Sequence, residues 1–207
     1  MQLFDFHHHQ KGKFGIYNLE PNENIPEERF SAGIHPKDID DNFEHYFSEL
    51  KKISSSKNCL AIGECGLDGI INIDEKLQEN VFGKQILWAN EIRKPIIIHC
   101  VRRFSELLKF KKIAEVPMII HGFNKKKTIA QEMQNHGFYL SFGKAVLQNV
   151  SLQQIIKDFP LEKLFLETDA ADFDIEILYQ KVSELKNISI ENLHSQILEN
   201  LKKIISI

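Results

Sequence analysis

The feature that most constrains this chain is a rhythm of short, β-branched apolar runs separated by longer amphipathic stretches. The runs are LFDFH (3–7), FGIYNL (14–19), FSAGIH (30–35), CLAIGE (59–64), PIIIHC (95–100), PMIIHGF (117–123), FYLSFG (138–143) and LFLETD (164–169). Helix-like stretches occupy 39–56, 75–94, 102–115, 128–137, 150–159, 174–187 and 189–205. In 75–94, Leu77, Val81, Gln85, Trp88 and Ile92 fall near one face, and Pro95 stands just beyond the end. Gly137 is placed to stop 128–137. Strands alternating with helices at this spacing indicate βα units and a parallel sheet.

Eight strand candidates predict an α/β fold, a TIM-barrel-like (β/α)8 barrel; an open doubly wound sheet is the alternative. The start does not fit an ideal barrel. A parallel crossover needs about a dozen residues, and QKGK between the first two runs is too short for one. The run 14–19 is therefore expected to be antiparallel, irregular or peripheral, with the barrel compressed or distorted near the N-terminus. With 207 residues, no repeat and only SSSK (54–57) as a loop-like tract, the expectation is one domain over 1–207.

No apolar run approaches the roughly 20 residues that cross a bilayer, and the N-terminus lacks the pattern of a secretory signal. Cys59, Cys65 and Cys100 form no paired spacing, so free thiols in a reducing cytoplasm are expected. Net charge is −3 and the pI about 6.3. A nucleic-acid partner would have to be attracted by a local basic patch or a metal. No obligate protein partner is evident.

The ionisable residues choose positions that matter. His7 and His9 alternate along a strand and point to one face, leaving His8 on the other. Glu64, His99, His121 and Asp169 each sit at the carboxyl end of an apolar run, as does His35. That end is where barrel enzymes place their chemistry. Singly, each residue has an ordinary use: a core histidine, a cap, a remnant of a tag. Four histidines and two carboxylates converging on one barrel mouth have few structural uses, because clustering desolvated polar groups costs free energy unless a metal engages them.

DFHHH (5–9) resembles the D-x-H-x-H opening of the TatD-type metal-dependent nucleases of the amidohydrolase superfamily. AGIHP (32–36), AIGECGLD (61–68), PIIIHC, IIHGF (119–123), FYLSFG and LFLETDA (164–170) are similar to that family's successive blocks, in order. A closing helical stretch, ENLHSQILENLKKI, extends the likeness. Three positions depart from the family pattern: Lys37 where GxHPH has its second histidine, Val101 ahead of Arg102, and Gly69–Ile70 where an aromatic is usual. None is a candidate ligand, and all border the expected substrate.

The resemblance implies two divalent ions, one held by His7, His9, Glu64 and Asp169, the other by Glu64, His99 and His121, with Glu64 bridging. Zn, Mn and Mg each suit imidazole and carboxylate donors, Mg least so with four imidazoles. Two divalent ions against two carboxylates leave a formal charge of about +2, which suits a phosphodiester. The implied function is a DNase, an exonuclease using a metal-activated water, with Glu64 and Asp169 catalytic. Asp169 would accept the water's proton. The alternatives are an aminoacyl-tRNA deacylase or small ester or lactone hydrolase on the same centre, or a catalytically silent binding barrel.

Basic residues follow several ligands: Arg102 and Arg103 after His99, Lys125 to Lys127 after His121, Lys144 after FYLSFG, and Lys37 after His35. They predict a phosphate-binding rim. His35, Arg102, Arg103 and Lys125 are the candidate substrate contacts. Asp5 reads as supporting or structural, and Phe123, Tyr139 and Phe142 as core aromatics or base-stacking groups. Cys65 and Cys100 should face away from the site, which argues against a catalytic thiol.

Overall fold

A computed structural model describes residues 1–205; Ser206 and Ile207, the end of the expected 1–207 domain, lie outside the described residues. Eight parallel strands follow one another in chain order: β1 (Asp5–His8), β2 (Gly15–Asn18), β3 (Phe30–Ala32), β4 (Cys59–Asp68), β5 (Ile96–Val101), β6 (Met118–Ile120), β7 (Tyr139–Phe142) and β8 (Leu164–Leu166). The seam closes just beyond β8. The Asp169 amide donates to the His7 carbonyl at 2.9 Å, and the buried Asp5 carboxylate takes the Thr168 amide and hydroxyl at 2.9 and 2.6 Å. The architecture is thus the expected (β/α)8 barrel rather than an open doubly wound sheet.

Helices cover the barrel from β3 onward: α1 (Phe43–Ser54), α2 (Glu75–Ile92), α3 (Phe104–Lys111), α4 (Lys127–Asn135), α5 (Val150–Asp158), α6 (Ile175–Lys186) and α7 (Ile190–Ile205). Among the described residues no helix lies between β1 and β2 or between β2 and β3. This is the predicted distortion, but β2 is neither antiparallel nor peripheral. It pairs parallel with β1 and β3, and its four residues are all buried. The dozen-residue rule fails here because β1 is so short. Four residues rise about 13 Å, a distance that the six residues 9–14 can retrace in extended form.

The helix α2 shows how local chemistry sets an element. The Asp74 side chain caps it by accepting from the Leu77 amide, and Arg93 ends it in the left-handed region. Its buried face, Gln78, Val81, Phe82, Gln85, Ile86 and Ala89, is turned from the one expected; Leu77, Trp88 and Ile92 flank it half-buried. The two buried glutamines explain the turn. Gln85 clamps the Ile34 amide and carbonyl at 2.7 and 3.1 Å, and Gln78 does the same to Asp68 at 2.8 and 3.1 Å. Satisfied amides of this kind are tolerated in a core and hold the ends of β3 and β4. None of the described helices is long and apolar enough to cross a membrane.

Candidate metal centre

All six expected ligands meet at the carboxyl end of the barrel. Together with His35 they form three overlapping groups: His7–His9–Asp169, His7–Glu64–His121 and His35–Glu64–His99, each with donor atoms within 4.8 Å of one another. Glu64 sits in the middle of the ten-residue β4 rather than at its end, because the strand continues through Gly66 to Asp68. The Asn18 side chain holds it there by accepting the Glu64 amide at 3.1 Å. Glu64 Oε1 lies 2.7 Å from His121 Nε2, 2.9 Å from His99 Nδ1 and 3.4 Å from His35 Nε2. Its Oε2 faces His7 Nε2 at 3.6 Å. Burial favours a neutral carboxyl, but the charge and hydrogen bond of His121, with the other imidazoles around the carboxylate, outweigh it and hold Glu64 far below the carboxylate range.

His7 supplies the test of metal fit. It is fully buried, and neither ring nitrogen has a hydrogen-bond partner in the structure. Its Nε2 is 3.6 Å from Glu64 and 3.9 Å from Asp169 Oδ1, too long for hydrogen bonds. Ligands held at about 2.1 Å around one ion stand roughly 3–4 Å apart, so a shared cation satisfies all three. The donor set of imidazoles and carboxylates suits Zn, Mn or another first-row divalent ion. Asp169 occupies the left-handed region at φ 53°, one that aspartate tolerates better than most residues. Burial raises its pKa, but the hydrogen bond from His9 and the neighbouring histidines lower it further.

Three carboxylates that sequence reasoning did not assign stand behind the imidazoles. Glu20 meets His9 Nδ1 at 2.7 Å, Asp68 meets His99 Nε2 at 3.1 Å, and the buried Glu167 lies 3.6 Å from His121 Nδ1. Each faces the ring nitrogen turned away from the ligand cluster. For His9 and His99 the contact is a hydrogen bond that fixes the tautomer and leaves the inner nitrogen's lone pair for a metal, whereas Glu167 stands too far from His121 Nδ1 for one. These carboxylates also offset the +2 surplus expected of the bare ligand set, leaving phosphate attraction to open coordination positions and the rim. His35 is arranged oppositely. Its Nδ1 accepts the Lys37 amide at 3.0 Å, so in the neutral ring Nε2 carries the proton and donates. It presents an N–H beside the ligands rather than a lone pair. Asp68 and Glu167 lay within the GLD and LETD blocks and were legible as strand-end acids; Glu20 comes from a loop with no local signal.

The expected rim is only partly built. Arg102 is exposed at the end of β5, and Lys125 is half-buried over the Phe104 ring, 5.9 Å from its centroid. Arg103 is buried and turned from the mouth, bound to Glu79 at 2.5 Å and Glu75 at 3.2 Å, with Glu106 at 3.7 Å. It braces α2 and α3 instead of offering charge to a ligand. Lys127 pairs with Asp158 at 2.6 Å. His8 packs outward beside Tyr17, as the alternation requires. Phe123 and Phe142 are buried, and Tyr139 is half-buried against the core. All three cysteines are unpaired and buried; burial pushes the thiols up, Cys59 to about 11 and Cys100 to about 12, with Cys65 raised further.

Residues 18–206 match the family model described as TatD related DNase, a span that begins at the last residue of β2. An uncharacterized metal-dependent hydrolase of Bacillus subtilis, YabD, is 30% identical over 196 residues, covering 86% of this chain and 77% of that protein. A Cronobacter sakazakii protein named 3′-5′ ssDNA/RNA exonuclease TatD is 29% identical over 147 residues, 68% of this chain and 56% of that protein. The crystal structure of the Escherichia coli TatD homologue YJJV superposes with a TM-score of 0.80 over 100% of this chain and 98% of that one, at 18% identity. The barrel, the match over most of the chain and a mouth whose side chains can hold metal agree: this chain belongs to the TatD-related family of metal-dependent hydrolases.

Proposed function

We propose that the centre holds two divalent ions and hydrolyses phosphodiester bonds at the 3′ end of single-stranded DNA. The observation that carries this is the placement of Glu64. One carboxylate oxygen faces His7, and the other faces His99 and His121. A carboxylate so placed can be shared by two cations at the ~3.5–4 Å spacing of two-metal hydrolysis. Bound there, the ions supply charge for the phosphoryl oxygens and a lowered pKa for the attacking water. Asp169, whose side chain is 42% exposed at the seam, receives the proton as water adds to phosphorus. His35 Nε2–H donates to a phosphoryl oxygen. The P–O3′ bond breaks, a 5′-mononucleotide leaves, and the O3′ released takes a proton from solvent, so the shortened strand ends in a 3′-hydroxyl. Arg102, Lys125 and Lys37 supply local positive charge on a chain of net charge −3. The 3′ polarity is supported by the names of relatives, and the free thiols fit a reducing cytoplasm.

The test is a time course on 5′-labelled single-stranded DNA, with chelated protein reconstituted with Mn²⁺, Mg²⁺ or Zn²⁺. A ladder shortening one nucleotide at a time from the 3′ end is expected. Absence of strand cleavage with every ion, alongside hydrolysis of a neutral aryl ester, would replace this reading with a small-ester hydrolase.

A further inference from the structure

Beside the metal centre, where β2 runs to β3 without a helix, a groove of about 450 Å³ lies between the Leu19–Asn22 loop and α1. Leu19, Ile34, Ile39 and Leu50, all buried, form an apolar floor. The rings of His45 and Tyr46, both exposed, stand at its edge. The groove shares Glu20, Gly33, Lys37 and Asp38 with a narrow cleft that reaches His9, His35 and Glu64. It is therefore continuous with the ligand cluster.

The charges along this groove are ordered. Lys37, at the inner end, is exposed and has no ion pair among the described residues. Beside it at that end stand Glu20, taken up by His9, and Asp38, which has neither a side-chain hydrogen bond nor an ion pair among the described residues. Farther out the charged lining is acidic: Asp40 accepts from the Tyr46 hydroxyl, and Glu49 pairs with Lys52. A volume of this size, with an apolar floor and polar side chains around it, suits a small aromatic ligand that carries polar substituents. The inner cation suits one phosphate next to the centre, and the acids beyond repel a second.

From this order we infer that the groove is the subsite for the strand's terminal nucleoside and selects a 3′-hydroxyl over a 3′-phosphate. The base lies on the apolar floor against Tyr46, the scissile phosphate meets Lys37 and the metal centre, and the terminal hydroxyl donates to Asp38. This rests on the nuclease reading above and deepens it. It also agrees with the proposed bond cleavage, since each cycle leaves a fresh 3′-hydroxyl for the same subsite.

The test uses Mn²⁺-loaded full-length protein and one 5′-labelled oligonucleotide ending in either a 3′-hydroxyl or a 3′-phosphate. The first cleavage of the phosphate-ended strand is expected to be about tenfold slower or more. In Asp38→Asn, and separately in Glu49→Gln, the ratio of the two rates should fall several-fold towards one. Equal rates on both ends in the unaltered protein overturn the subsite while leaving the nuclease reading standing. An unchanged ratio in both variants also overturns it, because the discrimination then arises elsewhere. Failure to cut either strand sinks the nuclease reading and the subsite with it.

Discussion

From β4 to β8 every strand hands on to a helix, whereas β1, β2 and β3 are joined by loops of six and eleven residues (9–14 and 19–29). On the helical side the ligands are locked. Gln78 clamps Asp68, Asp68 holds His99, and His121 and Glu64 are largely buried. On the loop side the ligands are open: His9 and Asp169 expose 23% and 42% of their side chains, and a groove runs outward beside them. The difference teaches a division of labour. The helix-covered wall can hold cations in fixed geometry because its supporting groups are excluded from water. The loop-covered wall gives up that rigidity and gains access for substrate.

The largest expected effect compares one ligand from each wall. On the proposed two-ion reading, Glu64→Gln removes the shared charge and should empty the centre and abolish turnover. Asp169→Asn, on the open seam, should keep substantial metal while turnover falls ~10²–10⁴-fold. Metal analysis with single-turnover rates measures both. If Asp169→Asn loses metal just as completely but regains its rate when metal is restored, Asp169 is a ligand only and another group takes the proton.

A smaller effect is expected from the groups behind the ligands. Asp68→Ala should lower metal affinity by ~10–100-fold, measured by competition with a chromophoric chelator. Glu20→Ala should cost less, because water can replace a carboxylate beside the half-exposed His9. Equal losses would show that both walls constrain their ligands alike.

The two adjacent arginines sharpen the contrast further. Arg103→Met should reduce stability by about 1–3 kcal/mol, seen as a lower denaturation midpoint, because it leaves charged partners behind. It should leave the salt dependence of DNA binding unchanged. Arg102→Ala with Lys125→Ala should do the reverse, reducing the salt slope by roughly 0.7 for each phosphate no longer neutralised. A slope that moves with Arg103 would place that side chain on the rim after all.

The smallest effect belongs to His8, the outward-facing member of the run. His8→Ala should leave metal content and turnover within about threefold of the unaltered protein, since strand alternation carries it away from the centre. The double substitution of His7 and His9 should lose both. Comparable losses from His8→Ala would break the alternation argument.

The βα order, the barrel, its irregular start and the gathering of six candidate ligands at its mouth were legible in the sequence because each depends on local periodicity. An apolar run with period two ends where its geometry dictates, and a residue at that end is carried to the barrel mouth. The relations across space were not legible. Parallel pairing of β2 depended on how short β1 turned out to be, and Glu64 lay mid-strand because β4 extends to Asp68. Arg103 reads like its neighbour Arg102, but its surroundings turn it inward to Glu75, Glu79 and Glu106. The carboxylates behind the imidazoles join residues up to 46 positions apart, such as His121 and Glu167, and the acidic groove beside them is likewise assembled only in space. Backbone sterics and side-chain alternation act within a few residues, so the chain alone determined which groups reach the mouth. Which nitrogen faces the metal, which charge stays free and where a substrate can lie depend on contacts that exist only once the barrel has closed.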